Sequence, residues 1–291
     1  MTTGRGSIAL RSLLFAPAGD ERKLRKAMAS SADAVVADLE DAVAPSARAA
    51  ARETLLRVSA SLVPRRPLMV RVNQPGTADF DEDLKLVKDL DLYGVVIPKA
   101  TSASTACLPA GLPRVMPIVE TAQGVRESYE IASVPGVFAL MFGAIDLAAE
   151  IDFRWRADGL HLLYARSQVV LNSAAAGLAF PIDSAWVKLD DPEGFLEEAR
   201  VARSLGFQGK VCIHPAQLEL AHRVFDGDQI AWAEATMNAY RAALARGEGV
   251  VAVDGEMVDR ATLRRAERIL VAAGLSDREV DVTHNHQAKE F

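Results

Sequence analysis

Short apolar runs recur along the chain, separated by longer stretches in which apolar positions return every three or four residues. This alternation is the signature of strand-helix units around a parallel sheet. The runs Ser12–Phe15, Ala34–Asp38, Leu68–Val72, Gly94–Ile97, Val115–Val119, Phe138–Phe142, Ala185–Val187 and Lys210–Ile213 predict eight strands. Helical periodicity fills the intervals at Glu21–Ala29, Ala44–Ser59, Phe80–Leu90, Val125–Ala132, Leu162–Ala176 and Pro192–Leu205. Eight such units predict a closed (β/α)8 TIM barrel over residues 1–225. The alternative, an open doubly wound sheet, would place a glycine-rich phosphate turn after its first strand. That turn reads Ala16-Pro17-Ala18-Gly19-Asp20, without the glycine spacing.

Residues 226–291 exceed a closing helix and form a C-terminal extension. The pattern predicts a helix over about Gln229–Arg246, a strand pair around Gly249–Met257 turning at Asp254-Gly255, and a helix over Asp259–Ala272. The final stretch VTHNHQAKEF is polar. Its His284 and His286 read as a frayed end rather than a metal site.

Composition narrows the function classes. Of 291 residues, 50% are hydrophobic and 25% charged, which allows a large core and excludes disordered and low-complexity classes. The formal net charge of −6, without a basic cluster, argues against nucleic acid as a partner. Cys107 and Cys212 are too few for a disulfide framework and lack metal-ligand spacing, which suits a reducing, cytoplasmic setting. No run approaches the ~18 apolar residues of a membrane span, so neither secretion nor membrane insertion is expected.

In a parallel barrel, catalytic groups gather at the carboxyl ends of the strands. The residues there are Asp38, Glu40 and Asp41 after the second strand, Arg71 and Asn73 on the third, Lys99 after the fourth, Glu120 after the fifth, Asp146 after the sixth and His214 after the eighth. Glu120 and Asp146 are one strand-helix unit apart and suit a hard cation: Mg²⁺ takes one or two protein carboxylates and completes its octahedron with water and substrate oxygens. Solvated loop acids or helix caps are the bland alternative. Gly124, Gly143 and Ala144 would permit close ligand approach. Arg71, within V-R-V-N, is a charge on a buried strand and needs a partner. That partner is a substrate carboxylate or carbonyl, or else Asp38 or Glu40 in an internal salt bridge. His214 reads as a hydrogen-bonding group at the barrel end rather than a base.

The segments RSLLFAPAGDERKLRKA, ADAVVADLEDAVAPSARAAAR, VRVN, PIVETAQGV, MFGAIDLAAEI, DDPEGFLEEARVARSLGFQGKVCIHPAQ and DGEMVDRATLRRAERIL together resemble the citrate lyase beta-subunit-like family of the HpcH/HpaI aldolase superfamily, over about residues 11–273. The resemblance implies a barrel enzyme, trimeric or hexameric, that uses Mg²⁺ and acts on acyl-CoA thioesters. It implies Glu120 and Asp146 as metal ligands and Arg71 as the substrate-binding arginine. It further implies thioester-binding roles for Phe15, Arg22 and Lys26. Asp259, in M-V-D, matches an acid/base that comes from a neighbouring subunit's tail and closes over the site; by spacing alone it reads as a helix N-cap. Many members carry Glu or Phe before the metal-binding aspartate, where this chain has Ile145.

The expected activity is a lyase acting on a malyl-, citramalyl- or citryl-CoA type substrate and releasing acetyl-CoA and a 2-keto acid through an enolate. Arg71 would stabilise the enolate oxygen, and Asp259, or water held by Glu40, would protonate its carbon. The alternatives are a thioesterase, a malate-synthase-like condensing enzyme, a citrate lyase beta subunit fed by an acyl carrier protein, and a non-catalytic binding subunit.

Overall fold

In the computed structural model, which describes residues 9–61, 66–156, 158–225, 228–253 and 255–272, eight strands close a parallel barrel. They are β1 (Ser12–Pro17), β2 (Ala34–Asp38), β3 (Leu68–Arg71), β4 (Gly94–Ile97), β5 (Arg114–Val119), β6 (Met141–Phe142), β7 (Ile182–Asp183) and β8 (Gly209–Cys212). Each pairs with its successor in sequence, and β8 returns to β1 through Leu13↔Val211 and Leu14↔Cys212. Every residue of β2, β4 and β8 is buried, as expected of strands packed on both faces.

The helices are α1 (Glu21–Met28), α2 (Arg48–Ser59), α3 (Ala78–Lys88), α4 (Ser102–Ala106), α5 (Ala122–Arg126), α6 (Ser128–Ala132), α7 (Ala144–Ile151), α8 (Leu163–Ala175), α9 (Pro192–Leu205) and α10 (Ala216–Phe225). Capping fixes several of their starts. Asp20 accepts from the Lys23 amide, Thr77 from Phe80, Thr121 from Gly124 and Asp191 from Gly194.

The chain separates into two compact units, one of them spanning Leu10–Phe225. In the other, α11 (Asp228–Ala245) packs on α12 (Arg260–Ala272) around Ala233, Met237, Tyr240, Leu263, Ala266 and Ile269. An antiparallel pair, β9 (Val251–Val253) and β10 (Glu256–Val258), joins them. Asp254 of the expected turn and the pair His284 and His286 lie outside the described residues.

Four expected elements shift. The seventh strand is Ile182–Asp183, not Ala185–Val187. Its Asp183 is fully buried in an ionic cluster, so the true strand reads as polar while an apolar loop nearby imitates one. The sixth strand shortens to Met141–Phe142, with a single bridge from Val137 to Val115 preceding it. The helix expected over Val125–Ala132 breaks at Glu127, whose carboxylate accepts from the Ser102 amide and hydroxyl. Before α2, Pro45–Ala47 forms a 3-10 turn.

The cluster behind β7 ties the sheet to its helices. Asp183 accepts from Arg166 Nε at 2.9 Å and from Lys210 Nζ at 2.7 Å, and Glu198 accepts from Arg166 Nη2 and Lys210 Nζ, both at 2.8 Å. Arg166, Asp183 and Lys210 are wholly buried. Removing one member strands the others without a counter-charge. Lys210→Met is therefore expected to cost about 3–5 kcal/mol in urea denaturation. A loss below about 1 kcal/mol, the worth of an exposed pair, would contradict this placement.

Candidate active site

Asp38 closes β2 and Arg71 closes β3, and the two are partners in the parallel register. The Asp38 carboxylate accepts Arg71 Nε and Nη2, both at 2.7 Å. It also accepts the amides of Glu40 at 3.0 Å and Ala42 at 3.1 Å. Four hydrogen bonds use the full acceptor capacity of one carboxylate. Asp38 is thereby committed to structure, and it fixes the plane of the guanidinium. The internal salt bridge weighed from sequence is real, and it presents Arg71 Nη1 to Glu40 Oε2 at 3.0 Å and Asp41 Oδ2 at 3.3 Å. The Glu40 oxygen is not aligned for hydrogen bonding and has no such partner. Burial works against the Arg71 charge, but the Asp38 bonds and the surrounding carboxylates outweigh it and hold the group protonated.

Glu120 follows β5 and is 4% exposed. Its Oε1 accepts the Lys99 backbone amide at 2.6 Å. Burial, followed by repulsion from Asp146, pushes its carboxyl up to about 8. Burial likewise lifts Glu40 to about 7 against the pull of Arg71. Asp146 lies in the first turn of α7, whose start is held by the Ala144 amide donating to Ser184. A Cβ at residue 143 would stand 2.5 Å from Glu120 Cβ and 2.8 Å from its Oε2. Gly143 thus makes room for the acid itself and not, as expected, for a ligand. Gly124 likewise lies against the Ala100 carbonyl.

Glu120 and Asp146, near enough for Asp146 to raise the Glu120 carboxyl, are chemically suited to a hard cation. Asp38, Glu40, Asp41, Glu120 and Asp146 face only Arg71 and Lys99 as counter-charges in these contacts, so negative charge is in excess. Among the described residues no three His, Cys, Asp or Glu side chains form a ready-made metal cage. Two carboxylates therefore leave most coordination positions to water and substrate, which Mg²⁺ tolerates.

A cavity of about 650 Å³ opens on the β1 side, lined by Phe15, Arg22, Lys23, Lys26, Asp38, Asp41, Arg71 and His214, among others. The predicted thioester-binding residues Phe15, Arg22 and Lys26 meet Arg71 here, and Arg71 Cζ stands 5.4 Å from the Phe15 ring centroid. His214 accepts the Ala216 amide through Nδ1, as a hydrogen-bonding group. Ile145 is 45% exposed.

Asp259 belongs to the second unit, where its Oδ1 accepts the amides of Ala261 and Thr262 and caps α12. These bonds hold its carboxyl below the usual range.

Sequence reasoning passed over Asp83. This fully buried residue accepts Asn73 Nδ2 and Arg52 Nε, both at 2.7 Å, and so anchors the turn after β3. Its helical position, in an otherwise ordinary amphipathic stretch, gave no signal.

The raised Glu120 and Glu40 carboxyls set a pH dependence. Their ordinary value is 4.5, so between there and about 8 the folded chain holds protons that the unfolded chain has released. Stability in EDTA is then expected to fall as pH rises across that window. Urea denaturation at about pH 5 and about pH 8.5 measures the slope, and Mg²⁺ should flatten it by replacing the proton. A rising slope would refute the assignment.

The profile of the HpcH/HpaI aldolase/citrate lyase family matches residues 11–108 and 110–215. A citrate lyase subunit beta-like protein of Deinococcus radiodurans is 38% identical over 275 residues, covering 90% of this chain and 96% of that protein. A (3S)-malyl-CoA thioesterase of Cereibacter sphaeroides is 36% identical over 273 residues, covering 89% and 95%. The crystal structure of the Mycobacterium tuberculosis CitE protein in complex with magnesium, acetoacetate and coenzyme A superposes with a TM-score of 0.74 at 35% identity, covering 92% of this chain and 98% of that one. With its closed parallel barrel and this extent of similarity, the chain belongs to the HpcH/HpaI aldolase/citrate lyase family.

Proposed function

We propose that the protein is a Mg²⁺-dependent carbon-carbon lyase that cleaves a 3-hydroxy-3-carboxyacyl-CoA thioester into acetyl-CoA and a 2-keto acid. The observation that carries this reading is the position of Arg71. It borders the cavity lined by Phe15, Arg22 and Lys26. Arg71 is also linked through Glu40 and Lys99 to Asp146 and Glu120. A thioester of this class is cationically recognised along its CoA portion and chelates metal through its hydroxyl and carboxylate, so it meets both the cavity and the carboxylates.

Mg²⁺ held by Glu120 and Asp146 would supply Lewis-acid polarisation of the substrate's hydroxyl and carboxylate oxygens. Arg71, already oriented by Asp38, directs its donors at the thioester oxygen, where negative charge grows as the bond breaks. Asp259 of a neighbouring subunit's tail, or water held by Glu40, takes the substrate's hydroxyl proton as the carbon-carbon bond breaks and returns a proton to the enolate carbon, so that no net proton is consumed. That role for Asp259 implies a homo-oligomer, a trimer or hexamer.

Similarity to a malyl-CoA thioesterase favours hydrolysis as the second reading. Turnover of malyl-, methylmalyl-, citramalyl- and citryl-CoA, each with Mg²⁺ and with EDTA, separates the two: keto acid marks cleavage, and free CoA thiol marks hydrolysis. Arg71→Ala is expected to lower kcat/KM by on the order of 10²–10³. Asp146→Ala should abolish the Mg²⁺ response, and undiminished Mg²⁺-dependent turnover in that variant would overturn the metal assignment.

A further inference from the structure

Lys99 takes no part in the chemical steps above, yet it touches the acidic cluster at three points. It follows β4 with φ 48°, in the left-handed region that a residue with a side chain seldom adopts. The backbone use of that conformation is plain: its amide reaches Glu120 Oε1 at 2.6 Å. The ammonium is placed differently. It lies 3.6 Å from Glu40 Oε1 and 3.8 Å from Asp146 Oδ1, and makes no hydrogen bond among the described residues. The side chain is 33% exposed. Ion pairs this long and this wet contribute little to stability, so the ammonium is a poor structural tie. It is, however, a positive charge held in the field of a proposed metal ligand.

We propose that the Lys99 ammonium is a built-in competitor of the divalent cation, which weakens metal binding at Glu120 and Asp146 until an anionic substrate group draws it away. The inference rests on the metal site proposed above. Like charges a few ångströms apart in a partly buried site repel strongly, so a metal bound at Asp146 must displace the ammonium or bear its repulsion. A substrate carboxylate offers that ammonium a new partner. Metal and substrate affinities would then be linked, each tightening the other.

Calorimetric titration of the full chain with Mg²⁺ alone, in the absence of any thioester, tests the idea. Lys99→Met keeps the aliphatic stem, the left-handed backbone cost and the amide that holds Glu120, and removes only the charge. It is expected to tighten Mg²⁺ binding at least about ten-fold, while Lys99→Arg stays within about three-fold of the wild type. Lys99→Gln, neutral but polar, should follow Lys99→Met. A purely structural lysine predicts the opposite, because its loss would loosen the carboxylates and weaken the site. Wild-type binding with unchanged or weaker binding in both neutral variants would overturn the inference alone. No Mg²⁺ binding in any of the proteins would overturn the metal site and the inference with it.

Discussion

The site depends on one two-residue contact, the bidentate grip of Asp38 on Arg71 across the ends of β2 and β3. An arginine side chain only 11% exposed leaves its guanidinium little water to solvate it and would be costly without a partner. Asp38 supplies that partner in the register of the sheet itself, and its remaining acceptor capacity folds the next residues into place through the Glu40 and Ala42 amides. The same carboxylate thus orients the arginine and shapes the loop that brings Glu40 and Asp41 to it. Charge-assisted, planar and two-pronged, this bond leaves Arg71 little freedom to reorganise when a reaction demands charge stabilisation. A lysine in that position would have no plane to fix.

Around this pivot the barrel gathers charges of both signs. Basic side chains of α1 line the cavity together with Arg71, Asp38 and Asp41, and the buried Glu40 and Glu120 lie outside that lining. The acids are held near one another against their mutual repulsion by the rigidity of the strands and by specific backbone donors. The cost appears as the upward displacement of the Glu120 and Glu40 carboxyls. Sites where burial and like charges act together in this way are typically functional. The net charge of −6 offers no general attraction for an anionic substrate, so local cations must provide it.

Much of this was legible in the sequence because it lies on periodic elements. Strand ends followed by polar residues placed Arg71, Glu120 and Asp146 at one end of the barrel, and the barrel followed from the alternation together with the turn after the first strand, which lacks glycine spacing. The failures have a common cause. Asp183 disguised β7 because its burial is offset by Arg166 and Lys210, which are distant in sequence. Gly143 was read as space for a ligand, whereas the space serves the Glu120 side chain on the adjacent strand. Lys99 drew no role because its importance lies in a left-handed backbone and in distances to three other strand ends. Pairwise compensation across the fold leaves no periodic trace.

Asp259 presents the remaining physical problem for an acid/base mechanism. As an N-cap it accepts two amides and the Thr262 hydroxyl, and its carboxyl is held below the usual range. A capped carboxylate of this kind is a poor proton donor at neutral pH, because every capping bond favours its charged form. Glu40 is the reverse, a buried carboxyl displaced upward to about 7 with one oxygen lacking any hydrogen bond. Proton delivery by Asp259 therefore requires it to exchange capping amides for a drier, more acidic neighbourhood, where proximity to other carboxylates would raise its proton affinity. The carboxylates around Glu120 and Asp146 would supply it only where a bound divalent cation has not already neutralised them, since the cation would favour the charged form of Asp259, so of the two proposed carriers Glu40 meets the smaller electrostatic cost.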